Sequence, residues 1–172
     1  ALQGIEEVTV LGEGWEDLPL DINYEVSLPI AERGTLFAGT KIVVELAPSV
    51  RQQSITRRSH SEMGISSFVL EAAAVCTASV VFDRPGIAEH FDLENEVFVY
   101  RGNDDLGQLL PMLLASFSDV ETVAHNAWNR VHSDHTWSQR WQSILEPWVP
   151  QYESDPQEDV LKMKSRQAVA VN

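Results

Sequence analysis

Cysteine, basic residues and long apolar runs are scarce in this sequence of 172 residues. The single cysteine, Cys76, excludes an internal disulfide framework and any zinc site built from several cysteines. It suits a reducing compartment, so we expect a cytoplasmic location. No run approaches the roughly 20 apolar residues that span a membrane. With 12 Lys and Arg against 26 Asp and Glu, the charge of −14 argues against nucleic acid or anionic lipid as a partner.

The composition that remains is that of an ordinary folded domain. Hydrophobic residues make up 44% of the chain, which is too many for a disordered protein. The length allows one core, so we predict one domain over residues 1–148. The acidic stretch near Glu153 and the weakly amphipathic segment after it predict a linker and tail over residues 149–172.

Short β-branched runs alternate with helical stretches along the chain. The predicted strands are Glu7–Leu11, Lys41–Leu46, Ala78–Phe82 and Glu96–Tyr100. The predicted helices begin near Pro29, Ser67, Pro85, Asn103, Ser118 and Thr136. Strands separated by helices predict a parallel sheet with flanking helices, which is a Rossmann-like α/β fold. Ligands bind beyond the carboxyl ends of such strands.

Three segments are predicted to meet at that edge of the sheet: Gly12–Trp15, the loop of residues 50–67, and Asp83–Ile87. The second ends with Gly64, Ile65, Ser66 and Ser67 at the start of a helix, where free backbone N–H groups favour a phosphate.

Charged residues flank this helix start on both sides. Glu71 lies about one turn inside the helix, within reach of sugar hydroxyls, and Arg57 and Arg58 upstream can neutralise a diphosphate. The alternative interpretation is that Ser66 is a plain N-cap and Glu71 a solvated carboxylate.

Other conspicuous residues favour structural roles. His125, His132 and His135 lack the i, i+4 spacing that brings two ligands to one ion, so we predict no metal site. The spacing of the tryptophans at 128, 137, 141 and 148 favours packing in the core and between helices over a platform for stacking on sugars. Trp15 fits stacking on a ligand and packing about equally. Asp83 and Glu89 fit a strand-end cap and a solvated carboxylate better than an acid–base pair.

Five segments, in order, resemble the donor-binding C-terminal half of group 1 glycosyltransferases with the GT-B fold. The resemblance covers Glu7 to Leu145 and is nearest to the branch with spore-maturation glycosyltransferase-like proteins. The segments are VTVLGEGW, LFAGTKIVVEL, SSFVLEAAAVCTASVVFDRPGIAEHF, NEVFVYRGNDDLGQLLPMLLAS and RVHSDHTWSQRWQSIL.

The resemblance implies roles for particular residues. Glu71 matches the second Glu of the family's Glu-x7-Glu motif, which holds the donor ribose, and Gly64–Ser67 fall where backbone amides meet the donor diphosphate. Two positions depart from the pattern. Met63 stands where the first Glu of the motif is expected, with Glu62 one residue out of register. Thr77 is placed at the family's usual glycine, which would narrow the pocket.

The resemblance also implies the reaction: transfer of a sugar from a nucleotide-diphosphate sugar to an acceptor, without a metal or other cofactor. Glu71, Arg57 and Arg58 would act on the donor, with Gly12 and Trp15 lining its site. Such enzymes work between two Rossmann-like domains, so we expect a fragment, or a chain that docks on a partner supplying the N-terminal half. The alternative is an inactive nucleotide-binding or protein-interaction module. A dinucleotide site is disfavoured because GEGW lacks the G-x-G-x-x-G spacing.

Overall fold

The computed structural model describes residues 7–12, 23–25, 27–46 and 64–148. It divides into two compact units, Ala1–His135 and Thr136–Asn172. The predicted boundary after residue 148 stays a prediction. In the described ranges, no helix is both long and apolar enough to cross a membrane.

All strand pairs of the described residues are parallel. The strands are β1 (Thr9–Leu11), β2 (Asn23–Glu25), β3 (Ile42–Val44), β4 (Ala78–Phe82) and β5 (Phe98–Tyr100). β1 pairs with β2 in one sheet, and β3, β4 and β5 form a second sheet in that order. Parallel neighbours require crossover connections, and a described helix lies in the chain between β3 and β4 and between β4 and β5. The predicted Rossmann-like α/β fold is therefore confirmed. β2 was not predicted, because its three residues, NYE, carry no apolar run.

Five α-helices cover the described part of the chain. They are α1 (Ile30–Ala38), α2 (Ser67–Ala74), α3 (Asn103–Ala115), α4 (Phe117–Asp134) and α5 (Trp137–Leu145), and a short 3-10 helix spans Pro85–Ile87. α5 belongs to the second unit and begins with the predicted Thr136 cap, which forms a capping box with Gln139.

Two helix starts lie close to the predicted positions. α3 begins at Asn103 after the N-cap Gly102, and the Arg101 N–H donates to Asp105 Oδ2 at 2.7 Å. α4 begins at Phe117, one residue before the predicted Ser118, after the N-cap Ser116, whose Oγ donates to Asp119 Oδ2 at 2.6 Å. Each start offers several polar side chains within two residues, so spacing alone does not select one.

The core of the first unit lies on both faces of β4. Successive residues of a strand point to opposite faces. Val81 accordingly packs with α2 and α4, whereas Ala78 and Val80 pack with α3 and the start of α4. All three side chains are fully buried. β4 is therefore the covered central strand of its sheet, as expected for a parallel sheet with helices on both faces.

Candidate functional site

The first turn of α2 lies at the carboxyl edge of the β3-β4-β5 sheet. α2 ends four residues before the start of β4 and packs against that strand, so it runs opposite to β4 and its first turn lies toward the carboxyl edge. Ser66 and Ser67 therefore share that edge with the residues that follow β3, β4 and β5. This is the edge at which ligands bind in open parallel sheets.

The start of α2 is an ordinary capped helix end with an exposed first residue. Ser66 is the N-cap, and its Oγ accepts a hydrogen bond from the Phe68 N–H at 3.2 Å. The Val69 N–H donates to the Ser66 carbonyl at 3.2 Å. Ile65 turns its side chain to the core cluster, and Ser67 is exposed. The cap is the structural role that the alternative interpretation assigned to Ser66.

Glu71 is not a solvated carboxylate, because it forms a two-point ion pair with Arg33 of α1. Arg33 Nε donates to Glu71 Oε2 at 2.8 Å, and Nη2 donates to Oε1 at 3.0 Å. The side chains are only 20% and 17% exposed, respectively. An ionised carboxylate has about four acceptor positions, of which Arg33 uses two. Each oxygen of Glu71 therefore retains an acceptor position for another donor.

Glu71 also lies on the same side of α2 as Ser67. The two residues are four apart, and side chains of a helix lean toward its N-terminus. Val69, Ala72 and Ala73 form the opposite, buried side. The Glu71 side chain is therefore on the side of α2 that leads to the exposed start of the helix, where the helix dipole is positive.

Arg33 is itself held on three sides. Its Nη1 donates to the Leu28 carbonyl at 2.8 Å, and its guanidinium lies over the Phe68 ring at 5.2 Å from the centroid. The hydrogen bonds to Glu71 and the attraction of that carboxylate raise the pKa of Arg33, so its charge is secure. The arrangement combines a positive helix end with an oriented carboxylate, which suits a ligand carrying both phosphate and hydroxyl groups.

A second ion pair crosses the same sheet edge. Arg84 follows β4, and its Nη2 donates to both carboxylate oxygens of Glu45, which follows β3, at 2.7 Å each. The Tyr100 hydroxyl, at the end of β5, donates to the Glu45 carbonyl at 3.0 Å. The Arg84 side chain is buried, and among the described residues its Nε has no acceptor. These contacts tie the ends of three adjacent strands together.

Asp83, at the end of β4, pairs with Arg101 rather than with Glu89. Arg101 Nε donates to Asp83 Oδ2 at 2.8 Å, and Glu89 is exposed. The contact matches the interpretation of Asp83 as a strand-end residue.

The expectation that Thr77 occupies the family's glycine position and narrows the pocket is wrong, as the C-terminal end of α2 shows. The Thr77 N–H donates to the Ala72 carbonyl and the Cys76 N–H to the Ala73 carbonyl, which is the Schellman motif. Cys76 has φ 61, so the glycine-favouring position is 76 and not 77. Thr77 is buried at the amino edge, where its Oγ1 donates to the Phe37 carbonyl at 2.7 Å. It therefore does not narrow a pocket at the carboxyl edge.

His125, His132 and His135 each contact a different neighbouring group. His125 Nδ1 lies 3.0 Å from Asn129 Nδ2, His132 Nδ1 lies 2.9 Å from the Trp128 carbonyl, and His135 Nε2 lies 3.1 Å from the His90 carbonyl. Within the described ranges, no three His, Cys, Asp or Glu residues are grouped so as to hold a metal ion.

The tryptophans at 128, 137, 141 and 148 are not core residues, so the part of the prediction that placed them in the core is wrong. Trp128 is exposed and packs its ring against His132, with the ring centroids 4.4 Å apart. Trp137, Trp141 and Trp148 are all more than half exposed. Helical spacing identified a common face but not what covers it.

The remaining predicted site residues fall in two groups. Gly12 follows β1, has φ 129 and donates its N–H to the Glu25 carbonyl at 3.0 Å. This φ favours glycine at the position, which lies at the end of the two-stranded sheet. Gly64 immediately precedes the α2 start. Trp15, Arg57, Arg58, Glu62 and Met63 lie outside the described residues.

Sequence reasoning missed Arg33, Glu45 and Arg84. A basic residue just beyond a buried strand, as Arg84 lies two residues after Phe82, is a usable signal for the sheet edge. No comparable signal connects Arg33 with Glu71, because they are 38 residues apart and meet only when α1 packs beside α2.

Comparison with known proteins gives a match to a family model. A family model described as glycosyl transferase-like matches residues 1–146. Searches of curated proteins and of solved structures found no match. The family match spans most of the chain, including every described strand and all of the α2 region. The chain therefore belongs to the glycosyl transferase-like family.

Proposed function

We propose that this chain is the donor-binding domain of a GT-B glycosyltransferase that uses a nucleotide-diphosphate sugar. The observation that carries the proposal is the position of Glu71. Its carboxylate is fixed by Arg33 on the same side of α2 as the exposed Ser67, in a helix that begins toward the carboxyl edge of a parallel sheet. The membership of the glycosyl transferase-like family supports the same reaction class.

The diphosphate is assigned to the segment Gly64–Ser67. Backbone N–H groups at a helix start and the helix dipole favour an anion, and the Ser66 cap leaves the start of α2 ordered before a ligand arrives. Arg57 and Arg58 are proposed to add positive charge here. As the bond to the sugar breaks, these groups would stabilise the charge developing on the leaving diphosphate, so no metal is required for that step.

The ribose is assigned to Glu71. A carboxylate accepts hydrogen bonds from hydroxyl groups, and the two acceptor positions that Arg33 leaves open suit two neighbouring hydroxyls. Gly12 and Trp15 are proposed to complete the donor site, with the indole stacking on the base or sugar.

Transfer also needs an acceptor held beside the donor in a site closed to water. We propose that a second Rossmann-like domain, in the same polypeptide or on a partner chain, supplies that side of the cleft. The chain described here would then bind donor nucleotide without it, but would transfer sugar only with it.

A binding experiment tests the assignment. The chain is titrated calorimetrically with UDP, GDP and dTDP, and the preferred nucleotide is titrated into Glu71→Gln and into Glu121→Gln, an exposed carboxylate on α4. Losing hydrogen bonds to a charged carboxylate costs about 1–2 kcal/mol, so Glu71→Gln should raise Kd about 5- to 30-fold. Glu121→Gln should bind as the wild type does.

Two results would contradict the proposal. Failure of the wild type to bind any of the three nucleotides would favour a protein-interaction module that does not bind nucleotides. Binding with an unchanged Kd in Glu71→Gln would remove Glu71 from the site.

A further inference from the structure

Arg33 meets Glu71 in the geometry that best fixes a carboxylate. Its two donors, Nε and Nη2, lie on different oxygens at 2.8 and 3.0 Å. A planar guanidinium bonded to both oxygens fixes the plane of the carboxylate, which a single bond from a lysine does not. Both groups are mostly shielded from water, so competition from solvent is reduced.

The guanidinium is in turn held by groups that do not belong to the proposed site. The Leu28 carbonyl, just before α1, accepts from Nη1 at 2.8 Å. Phe68 lies against the guanidinium and makes an edge contact with Phe37, whose ring centroid is 6.2 Å away. Arg33 is thus anchored by α1 and by the first turn of α2 before any ligand binds.

Glu71 alone would be free to turn. A glutamate on the side of a helix has three rotatable side-chain bonds, and ordering them when a ligand binds opposes binding. Arg33 restricts that freedom in the free protein. It does so while using only two of the four acceptor positions of the carboxylate.

We propose that Arg33 is a positioning residue that holds Glu71 ready for the ribose hydroxyls of the donor nucleotide. The inference rests on the proposed function and extends it to a residue of α1. It assigns the selectivity for ribose over deoxyribose to the pair rather than to Glu71 alone. Arg33 acts through Glu71 and is not itself assigned a contact with the donor.

The competing explanation is that the ion pair only ties α1 to α2. Both explanations predict that losing Arg33 lowers stability, so melting temperature does not separate them. They differ in what they predict for an Arg33 variant that still folds: the positioning role predicts a changed selectivity between nucleotides with and without sugar hydroxyls. A tie between helices has no effect on the ratio of affinities for two nucleotides that differ only in their sugar hydroxyls.

The experiment measures that ratio in the full chain. Whichever of UDP and GDP binds the wild type more tightly is titrated beside its 2′,3′-dideoxy counterpart. The variants are Arg33→Met, which keeps an unbranched stem beside Phe68, and Arg33→Lys, which keeps the charge without the two-point contact. Arg130→Met is the matched control, because Arg130 forms ion pairs with Glu96 and Asp134 elsewhere on the molecule. Circular dichroism reports folding at the titration temperature.

The wild type and Arg130→Met should prefer the ribonucleotide about tenfold or more. Arg33→Met should reduce the preference to less than about threefold, and Arg33→Lys should restore part of it. A preference unchanged in folded Arg33→Lys and Arg33→Met would overturn the positioning role while leaving nucleotide binding intact. If the wild type binds dTDP but neither UDP nor GDP, this inference fails alone, because that sugar lacks the 2′-hydroxyl. If it binds none of the three nucleotides, the proposed function fails and this inference fails with it.

Discussion

Cys76 adopts a backbone conformation that suits glycine better than cysteine. It follows the last turn of α2 with φ 61, and its N–H closes one of the two Schellman hydrogen bonds. A left-handed conformation costs a residue with a Cβ roughly 1–2 kcal/mol. The side chain is exposed, so little packing compensates for that cost.

Replacing Cys76 with glycine should therefore stabilise the protein. Relief of the backbone strain raises the free energy of unfolding. The greater conformational freedom of glycine in the unfolded chain lowers it by about 0.4–1 kcal/mol, which is the smaller effect. We expect Cys76→Gly to raise the free energy of unfolding by about 0.5–1 kcal/mol. Cys76→Val should lower it by about 1 kcal/mol, because a β-branched residue tolerates this conformation poorly. Urea unfolding followed by circular dichroism measures both, and a glycine variant less stable than wild type would contradict the assignment.

Asp134 connects stability with pH. The hydrogen bond from Arg130, 2.7 Å long, lowers the pKa of Asp134 below its ordinary value of about 4, and Ser133 adds to the effect. A carboxyl whose pKa is lower in the folded than in the unfolded state stabilises the fold at pH values above the unfolded pKa. That contribution is lost as the pH falls through the folded pKa.

Asp134→Asn should therefore be less stable than wild type at pH 6, by the small amount typical of an exposed pair. The difference should shrink below about pH 4 and disappear once the carboxyl of the folded protein is protonated. Unfolding in urea at pH 6, 4 and 3 gives the comparison. A stability difference that does not change with pH would show that the ion pair is not its source.

Contacts between side chains on different elements of the fold are the part of the site that could not be predicted from the sequence. Glu71 was identified because its spacing from Ser66 lies within one helix, where geometry is fixed at 3.6 residues per turn. Arg33 was missed because its contact depends on how α1 packs against α2. The tryptophan prediction failed for a related reason: spacing defines a face, but burial depends on what lies opposite.

At the scale of elements, the α2 start has two roles that a pair of substitutions separates. Ser66 caps the helix, and the segment before it is the proposed diphosphate site. Ser66→Ala removes the cap and should lower the free energy of unfolding by about 1 kcal/mol. Ser66→Asp keeps a capping oxygen and suits the positive end of the helix, so the variant should be as stable as wild type.

For nucleotide binding, unlike stability, Ser66→Asp should be the more damaging of the two substitutions. The aspartate places a negative charge where the diphosphate is proposed to lie, so we expect Ser66→Asp to weaken nucleotide binding at least tenfold despite normal stability. Calorimetric titration of the nucleotide that the wild type prefers gives the comparison. Binding of that nucleotide by Ser66→Asp with the wild-type Kd would place the anion elsewhere.

The elements themselves were largely predictable. Buried β-branched runs such as ASVVF identify central strands of a parallel sheet, and Ala78–Phe82 has the predicted bounds. Helix starts were less certain where polar residues cluster, as at Ser116 and Ser118. β2 was missed because three polar or aromatic residues contain no pattern distinct from a loop.

For the whole molecule, the strand order gives the clearest relation to a doubly wound sheet. The classic order of such a sheet is 3-2-1-4-5-6, with all strands parallel. β2 and β1 pair as positions 3 and 2 do, and β3, β4 and β5 pair as positions 4, 5 and 6 do. In the ranges described by the structure, no strand occupies position 1. The pairs within each of the two sheets are those of a doubly wound sheet, in which ligands bind beyond the carboxyl ends of the strands.

The net charge of −14 adds a constraint on this site. An anionic nucleotide approaching an acidic protein is repelled at long range, so binding must depend on local donors. The backbone amides at the start of α2 supply such donors without adding basic side chains. The described ion pairs at the same edge, Arg33–Glu71 and Arg84–Glu45, are close to neutral as units.

Amide chemical shifts provide the most direct measurement of the central claim, that a nucleoside diphosphate binds at the start of α2. In a ¹⁵N–¹H correlation titration of the labelled chain with UDP or GDP, the signals of Ser66, Ser67, Phe68 and Glu71 should shift together with one Kd. Amides of the α4 segment around Arg130 should stay in place. Saturating nucleotide that leaves the α2 signals unmoved, or that moves only signals distant from α2, would contradict the account.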